Sequence, residues 1–143
     1  MTFRADGGPV DVRDLPDDLV DEARVDDDSA FVLDPGAFVL GSTLERVTLG
    51  DDIMGLLDGK SSLGRLGIHV HATASVVDAG FSGVLTLELS NVTPRPVLLY
   101  PRMRIAQLVL LNLTGPALHS KYQDANDVML SQVDGNFVDG VSL

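Results

Sequence analysis

The sequence predicts a mainly β, single-domain protein, a barrel, sandwich or jelly roll with short helices. Two observations carry this. Short apolar runs recur at roughly even spacing, each closed by Gly, Pro or Asp turn chemistry. Several runs also alternate: in Val84-Leu85-Thr86-Leu87-Glu88-Leu89 one face carries the three leucines and the other carries Val84, Thr86 and Glu88. With 143 residues, 45% of them hydrophobic but only 5% aromatic and no Trp, the chain can enclose one core, built from Val, Leu, Ile and Ala.

Residues 1–30 form an acidic leader, expected to be partly ordered, with one short helix over LPDDLVDEARV from near Pro16. The β domain is expected over residues 31–114. Its first strand is Phe31–Leu33, before the Asp34-Pro35-Gly36 turn, and its second is Ala37–Leu40, before Gly41. Arg46–Leu49 precedes Gly50-Asp51-Asp52, and Ile68–Ala72 follows Gly67. Val84–Leu89, Val97–Tyr100 and Ile105–Leu113 complete the strands, and Ser61–Leu66 is a short helix. Residues 115–143 turn polar and read as an irregular C-terminal arm.

The formal net charge of −11 opposes binding to phosphate backbones, so no general nucleic-acid partner is expected. A small anionic ligand remains compatible, because a local nest of basic groups and backbone N–H can reverse the sign within one pocket. With no Cys, the chain has no disulfide, thiolate zinc site or Cys nucleophile. No run approaches the ~18 apolar residues of a membrane span, and the N-terminus lacks the apolar stretch of a signal peptide. A cytoplasmic location, with no membrane partner, is the expectation.

Three groups could carry chemistry. Gly59-Lys60-Ser61-Ser62-Leu63-Gly64-Arg65 places a Lys, paired hydroxyls and an Arg at a turn that starts a helix, the inventory of a phosphate cradle. It lacks Walker A spacing and reads equally well as a surface turn with incidental charges. Asp78, after two Val and before a Gly-rich turn, would emerge at a strand end, where it could accept from a sugar hydroxyl or simply cap the turn. Glu88 lies between Leu87 and Leu89. Partial burial would raise its pKa towards neutrality and suit it to proton transfer, whereas full exposure would make it an ordinary strand residue.

Across residues 31–114, the motifs GKSSLGRLG, DAGFSG, TLELSN and RIAQL occur in the order found in the dCTP deaminase family of the dUTPase-like superfamily, which the chain resembles. The resemblance is greatest to members that turn dCTP into dUMP. It implies a distorted β-barrel or jelly roll that assembles as a homotrimer, with active sites between subunits and Mg²⁺ bound with the triphosphate. It further implies that Lys60, Ser61 and Ser62 hold the triphosphate and that Arg65, with Ser61, serves catalysis by holding the attacking water. Asp78 would contact the deoxyribose 3′-hydroxyl, and Glu88 would be the catalytic acid/base. Gln107 would lie near the base and triphosphate, and Lys121 would bind phosphate from the arm. Residues 60–65 and 78–88 would then reach one cleft from neighbouring subunits.

Such a deaminase works without zinc at the base, as a chain with no Cys must if zinc deaminases need paired Cys ligands. Several positions depart from the family. Ala79 replaces a usual Pro, Ala125 stands where a phosphate-binding Gln is expected, and the usual ending is replaced over Asp124–Leu143. Three activities follow as expectations: a deaminase of dCTP, a dUTPase acting on dUTP from the same scaffold, or a re-purposed nucleotide-binding trimer.

Overall fold

The computed structural model describes residues 1–6, 8–117 and 124–133. Among these residues ten strands and one short helix follow in order: β1 (Thr2–Phe3), β2 (Val20–Asp21), β3 (Phe31–Leu33), β4 (Phe38–Thr48), β5 (Ile53–Gly59), α1 (Ser61–Gly64), β6 (Ile68–His69), β7 (Val76–Val77), β8 (Ser82–Asn91), β9 (Val97–Leu99) and β10 (Ala106–Asn112). They form three open sheets in the orders β2-β1-β4-β8-β6, β10-β5-β7 and β3-β9, and the pairings between these strands are antiparallel. Among the described residues no helix is long and apolar enough to cross a membrane.

The long pair β4–β8 is the spine. Along β8, Gly83, Leu85, Leu87, Leu89 and Asn91 are buried, while the residues between them are half-exposed. The leucines pack into one core with Leu33, Leu57, Val70 and Phe81, and each fully buried aliphatic side chain contributes roughly 1.5–3 kcal/mol. Between Ser42 and Arg46 the register shifts, and β4 bulges away from its partner. There the hydroxyl of Thr43 accepts from the Leu85 amide at 2.9 Å and donates to the Glu45 carbonyl at 2.8 Å, so β8 keeps its hydrogen bonding past the irregularity.

Several sequence expectations need correction. No helix forms at Pro16: Leu15 and Leu19 turn inward, the Leu19 carbonyl accepts from Arg4, and Val20–Asp21 becomes a strand beside β1. The segment has too few apolar residues to bury a helical face, and sheet pairing satisfies its backbone instead. Gly41 does not close a strand, because β4 runs through it to Thr48. β5 was not expected as a strand, since ~IMGLLDG has no alternation; it lies between β10 and β7 at the centre of its sheet.

Asn91 holds one end of the spine. It is 0% exposed, and its Nδ2 donates to the Leu33 carbonyl at 2.9 Å and the Arg95 carbonyl at 2.8 Å. Its Oδ1 accepts from the amide and hydroxyl of Thr93 at 2.9 and 2.8 Å. Beside this knot Gly67, at φ +74°, could not carry a side chain, because a Cβ would lie 2.4 Å from the Thr93 methyl. Replacing Asn91 by Leu strands the buried Leu33 carbonyl and breaks the part-buried contact to Arg95, and the expected loss is about 1–3 kcal/mol, measured as a shift of the urea midpoint.

Candidate active site

The cleft-facing side of β8 carries Val84, Thr86 and Glu88, the residues that alternation turns away from the core. They form part of the floor of a cleft of about 580 Å³, whose walls come from the leader, the start of β4 and the segment after residue 124. Phe3 and Phe38 meet on one wall with ring centroids 5.4 Å apart, and Leu15 and Leu19 extend it. Ala74 and Asp78, from the two sides of β7, complete the floor around Glu88. A cleft of this volume is within the range that holds small molecules.

Glu88 is held by backbone rather than by a cation. Its Oε2 accepts from the amides of Ala72, Thr73 and Ala74 at 2.6, 3.0 and 3.4 Å. Burial, the largest single influence, pushes its pKa up. The three amides and the nearby His71 act the other way, and the net displacement is downward. The expectation of a pKa raised towards neutrality is therefore corrected: hydrogen bonds to the charged form outweigh desolvation. The lowered pKa keeps the carboxylate ionised at neutral pH.

The sequence marks His71–Gly83 as a loop that could carry chemistry, but not that the amides of 72–74 hold Glu88. The signal was the small-residue run Ala72-Thr73-Ala74, which lets a loop curl around one oxygen. Nδ1 of His71 is buried with no hydrogen-bond partner among the described residues.

Asp78 directly follows β7, as its position predicts. Its backbone carbonyl, not its carboxylate, closes the turn by accepting from Phe81 at 3.1 Å. The carboxylate is exposed at the cleft and makes no hydrogen bond among the described residues.

The phosphate-type group lies elsewhere. Lys60 precedes α1, which is only Ser61–Gly64, and its amide donates to Ile105 at 3.0 Å, tying the turn to the start of β10. Leu63 is buried and anchors the turn, while Ser61, Ser62 and Arg65 are exposed. The side chains of Lys60, Ser61, Ser62 and Arg65 make no hydrogen bond or ion pair among the described residues. Gln107 on β10 faces Asp58 on β5, with Nε2 donating to Oδ2 at 3.5 Å. None of these side chains lines the 580 Å³ cleft that Asp78 and Glu88 share. Lys121 lies outside the described residues. Ala125 is 3% exposed and packs against Gly83 of β8. Among the described residues, no three His, Asp or Glu side chains are grouped to hold a metal ion.

The open antiparallel sheets are of the dUTPase-like type. The native dUTPase of EIAV superposes with a TM-score of 0.53 at 18% identity, covering 64% of this chain and 74% of that one. The 2′-deoxycytidine 5′-triphosphate deaminase of Agrobacterium tumefaciens superposes with a TM-score of 0.54 at 29% identity, over 60% of this chain and 28% of that one. The chain belongs to the dCTP deaminase-like family, whose description matches residues 1–113. It is 50% identical over 137 residues to the dUMP-forming dCTP deaminase of Mycolicibacterium gilvum, covering 90% of this chain and 72% of that protein.

The charged state of Glu88 makes its contribution to stability depend on pH. A depressed folded-state pKa adds stability that is complete above the ordinary glutamate range and is lost as pH falls through the lowered value. Glu88→Gln keeps an acceptor for the amides but loses the charge. At pH 7 the variant is expected to be less stable by on the order of 1 kcal/mol. The difference should vanish in acid, and urea unfolding of both proteins across pH checks it.

Proposed function

We propose that this protein deaminates dCTP and releases dUMP, with Glu88 as the proton-transfer group. The observation that carries the reading is the ionised Glu88 carboxylate, fixed by three amides on the floor of a nucleoside-sized cleft. The 50% identity to a dUMP-forming dCTP deaminase supports it.

Glu88 accepts a proton from water as the oxygen adds to C4 of cytosine and passes it to N3, which takes up the C4=N3 electrons. It then takes the proton of the C4 hydroxyl and delivers it to the amino group, so that ammonia leaves with the electrons of the C4–N bond and the uracil carbonyl forms. The amides of 72–74 hold the carboxylate in one orientation throughout, so little reorganisation accompanies proton transfer. Asp78 accepts from the deoxyribose 3′-hydroxyl. A second water attacks the α-phosphorus, breaking the α–β phosphoanhydride and releasing pyrophosphate. The triphosphate enters as its Mg²⁺ complex, with the ion held by phosphate oxygens and water. A zinc centre with paired Cys ligands cannot be built from a chain without Cys.

Lys60, Ser61, Ser62 and Arg65 grip the triphosphate, and Lys121 and Gln107 add to this grip. Arg65 and Ser61 also hold the attacking water. Because these groups lie away from the cleft within one chain, we infer that a neighbouring subunit delivers them in a homotrimer. The edge strand β10 supports an assembly: Val109, Leu110 and Leu111 are all exposed, an apolar strip that a partner would cover.

Four measurements test this reading. Glu88→Gln should lower ammonia release from dCTP by about 10²–10⁴-fold while nucleotide affinity stays close to the parent's. Product chromatography with dCTP and dUTP supplied separately distinguishes deamination from dUTPase activity, and tight binding without turnover would identify a re-purposed binder. Arg65→Ala should weaken nucleotide binding by about 1.5–3 kcal/mol in calorimetry. Light scattering should give about three times 15.2 kDa, and a monodisperse monomer at micromolar concentration would refute the shared site.

A further inference from the structure

The segment from Asp124 to Ser131 follows the stretch matched by the family, which ends at residue 113. It docks on the same strand that carries Glu88. Asp124, at φ +56°, turns the chain onto β8, and its amide donates to the Ser82 carbonyl at 2.8 Å. Ala125 pairs in parallel with Gly83, and its carbonyl accepts from Val84 at 2.9 Å. Gly83 makes this approach possible: a Cβ there would stand 2.9 Å from the carbonyl oxygen of Ala125 and 3.0 Å from its nitrogen. Arg46 on β4 adds a hydrogen bond from its guanidinium to Asn126 at 2.9 Å.

Four residues further on, the amide of Met129 donates to the hydroxyl of Thr86 at 2.9 Å. Thr86 shares the cleft face of β8 with Glu88, two residues away. This contact sets Met129, Leu130 and Ser131 against the cleft. The segment therefore frames the space beside the catalytic carboxylate and leaves it open at about 580 Å³.

We propose that residues 124–131 form a strap that supplies an apolar wall of the nucleoside cleft, with Gly83 as its seat and Thr86 as its latch. Met129 and Leu130 are then specificity-determining residues, shaping the cleft around the pyrimidine and deoxyribose without touching the proton transfer. The proposal rests on the reading that this cleft takes dCTP. Physically, the wall acts by excluding water from the apolar part of the nucleoside and by limiting its orientations. Loosening it weakens substrate binding before it slows chemistry.

Three variants of the full chain are assayed with Mg²⁺–dCTP. Thr86→Val keeps the shape but removes the acceptor for the Met129 amide, and KM is expected to rise about tenfold with kcat within about twofold of the parent. Thr86→Ser keeps the acceptor and should restore the parental KM, which a purely structural role of the threonine methyl would not do. Gly83→Ala forces Ala125 off its seat and should reproduce the rise in KM. Hydrogen exchange reads the same contact without catalysis, with faster exchange expected at Val84 and Met129 in Thr86→Val than in Thr86→Ser. Parental turnover with KM unchanged in Thr86→Val and Gly83→Ala would overturn the strap alone. A parent that neither binds nor converts dCTP would overturn the reading of the cleft, and this proposal with it.

Discussion

The constraint on which this structure depends is the two-residue period of one strand. Every second side chain of β8 is in the core, and those between form part of the floor of the cleft. The apolar burial that stabilises the domain and the carboxylate proposed to serve its chemistry are thus positioned by the same backbone. A slip of one residue against β4 would send Glu88 into the core and Leu87 into the cleft. The cost of burying an unpaired carboxylate is one reason the register is unique. At the far end of the strand the Asn91 knot keeps β3 and the turn after β8 in step with it.

Glu88 also illustrates how a charge can be kept in a partly buried place without a countercharge. The chain carries 21 acidic residues against 10 Lys and Arg, so cations are scarce. Backbone amides take their place, and three of them converge on a single oxygen. Amides cannot titrate and cost little entropy once the loop is folded. This explains why the group remains ionised although burial alone would favour its neutral form.

Much of the fold was legible because β8 alternates cleanly and because Gly, Pro and Asp punctuate the runs. β3 was read with its observed limits, and α1, β9 and β10 to within one or two residues. β5 was not, since a strand between two neighbours need not alternate. The leader was misread because local helix signals near Pro16 were outweighed by pairing with β1, a contact far away in sequence. Glu88 and Asp78 could be singled out, and they do share a cleft. The direction of the Glu88 pKa shift could not, because it is set by three amides fourteen to sixteen residues upstream, whose aim is a property of the folded loop. The seating of Ala125 on Gly83 was equally hidden, since nothing in either residue type announces the other.

The bulge over residues 43–45 divides the spine into a tolerant strand and an intolerant one. Thr43 closes the gap with its own hydroxyl, and Leu44, 70% exposed, projects away from the sheet. Length variation at this point of β4 is absorbed outside the ladder, so an added residue beside Leu44 leaves the pairing of Thr86 and Glu88 untouched. An added residue in the middle of β8 has no such outlet and exchanges the two faces from there onward. Drift in sequence and length is therefore cheap on one member of the pair and nearly forbidden on the other. A peptide tag or reporter loop placed at Leu44 would sit on a part of the spine whose geometry the cleft does not read.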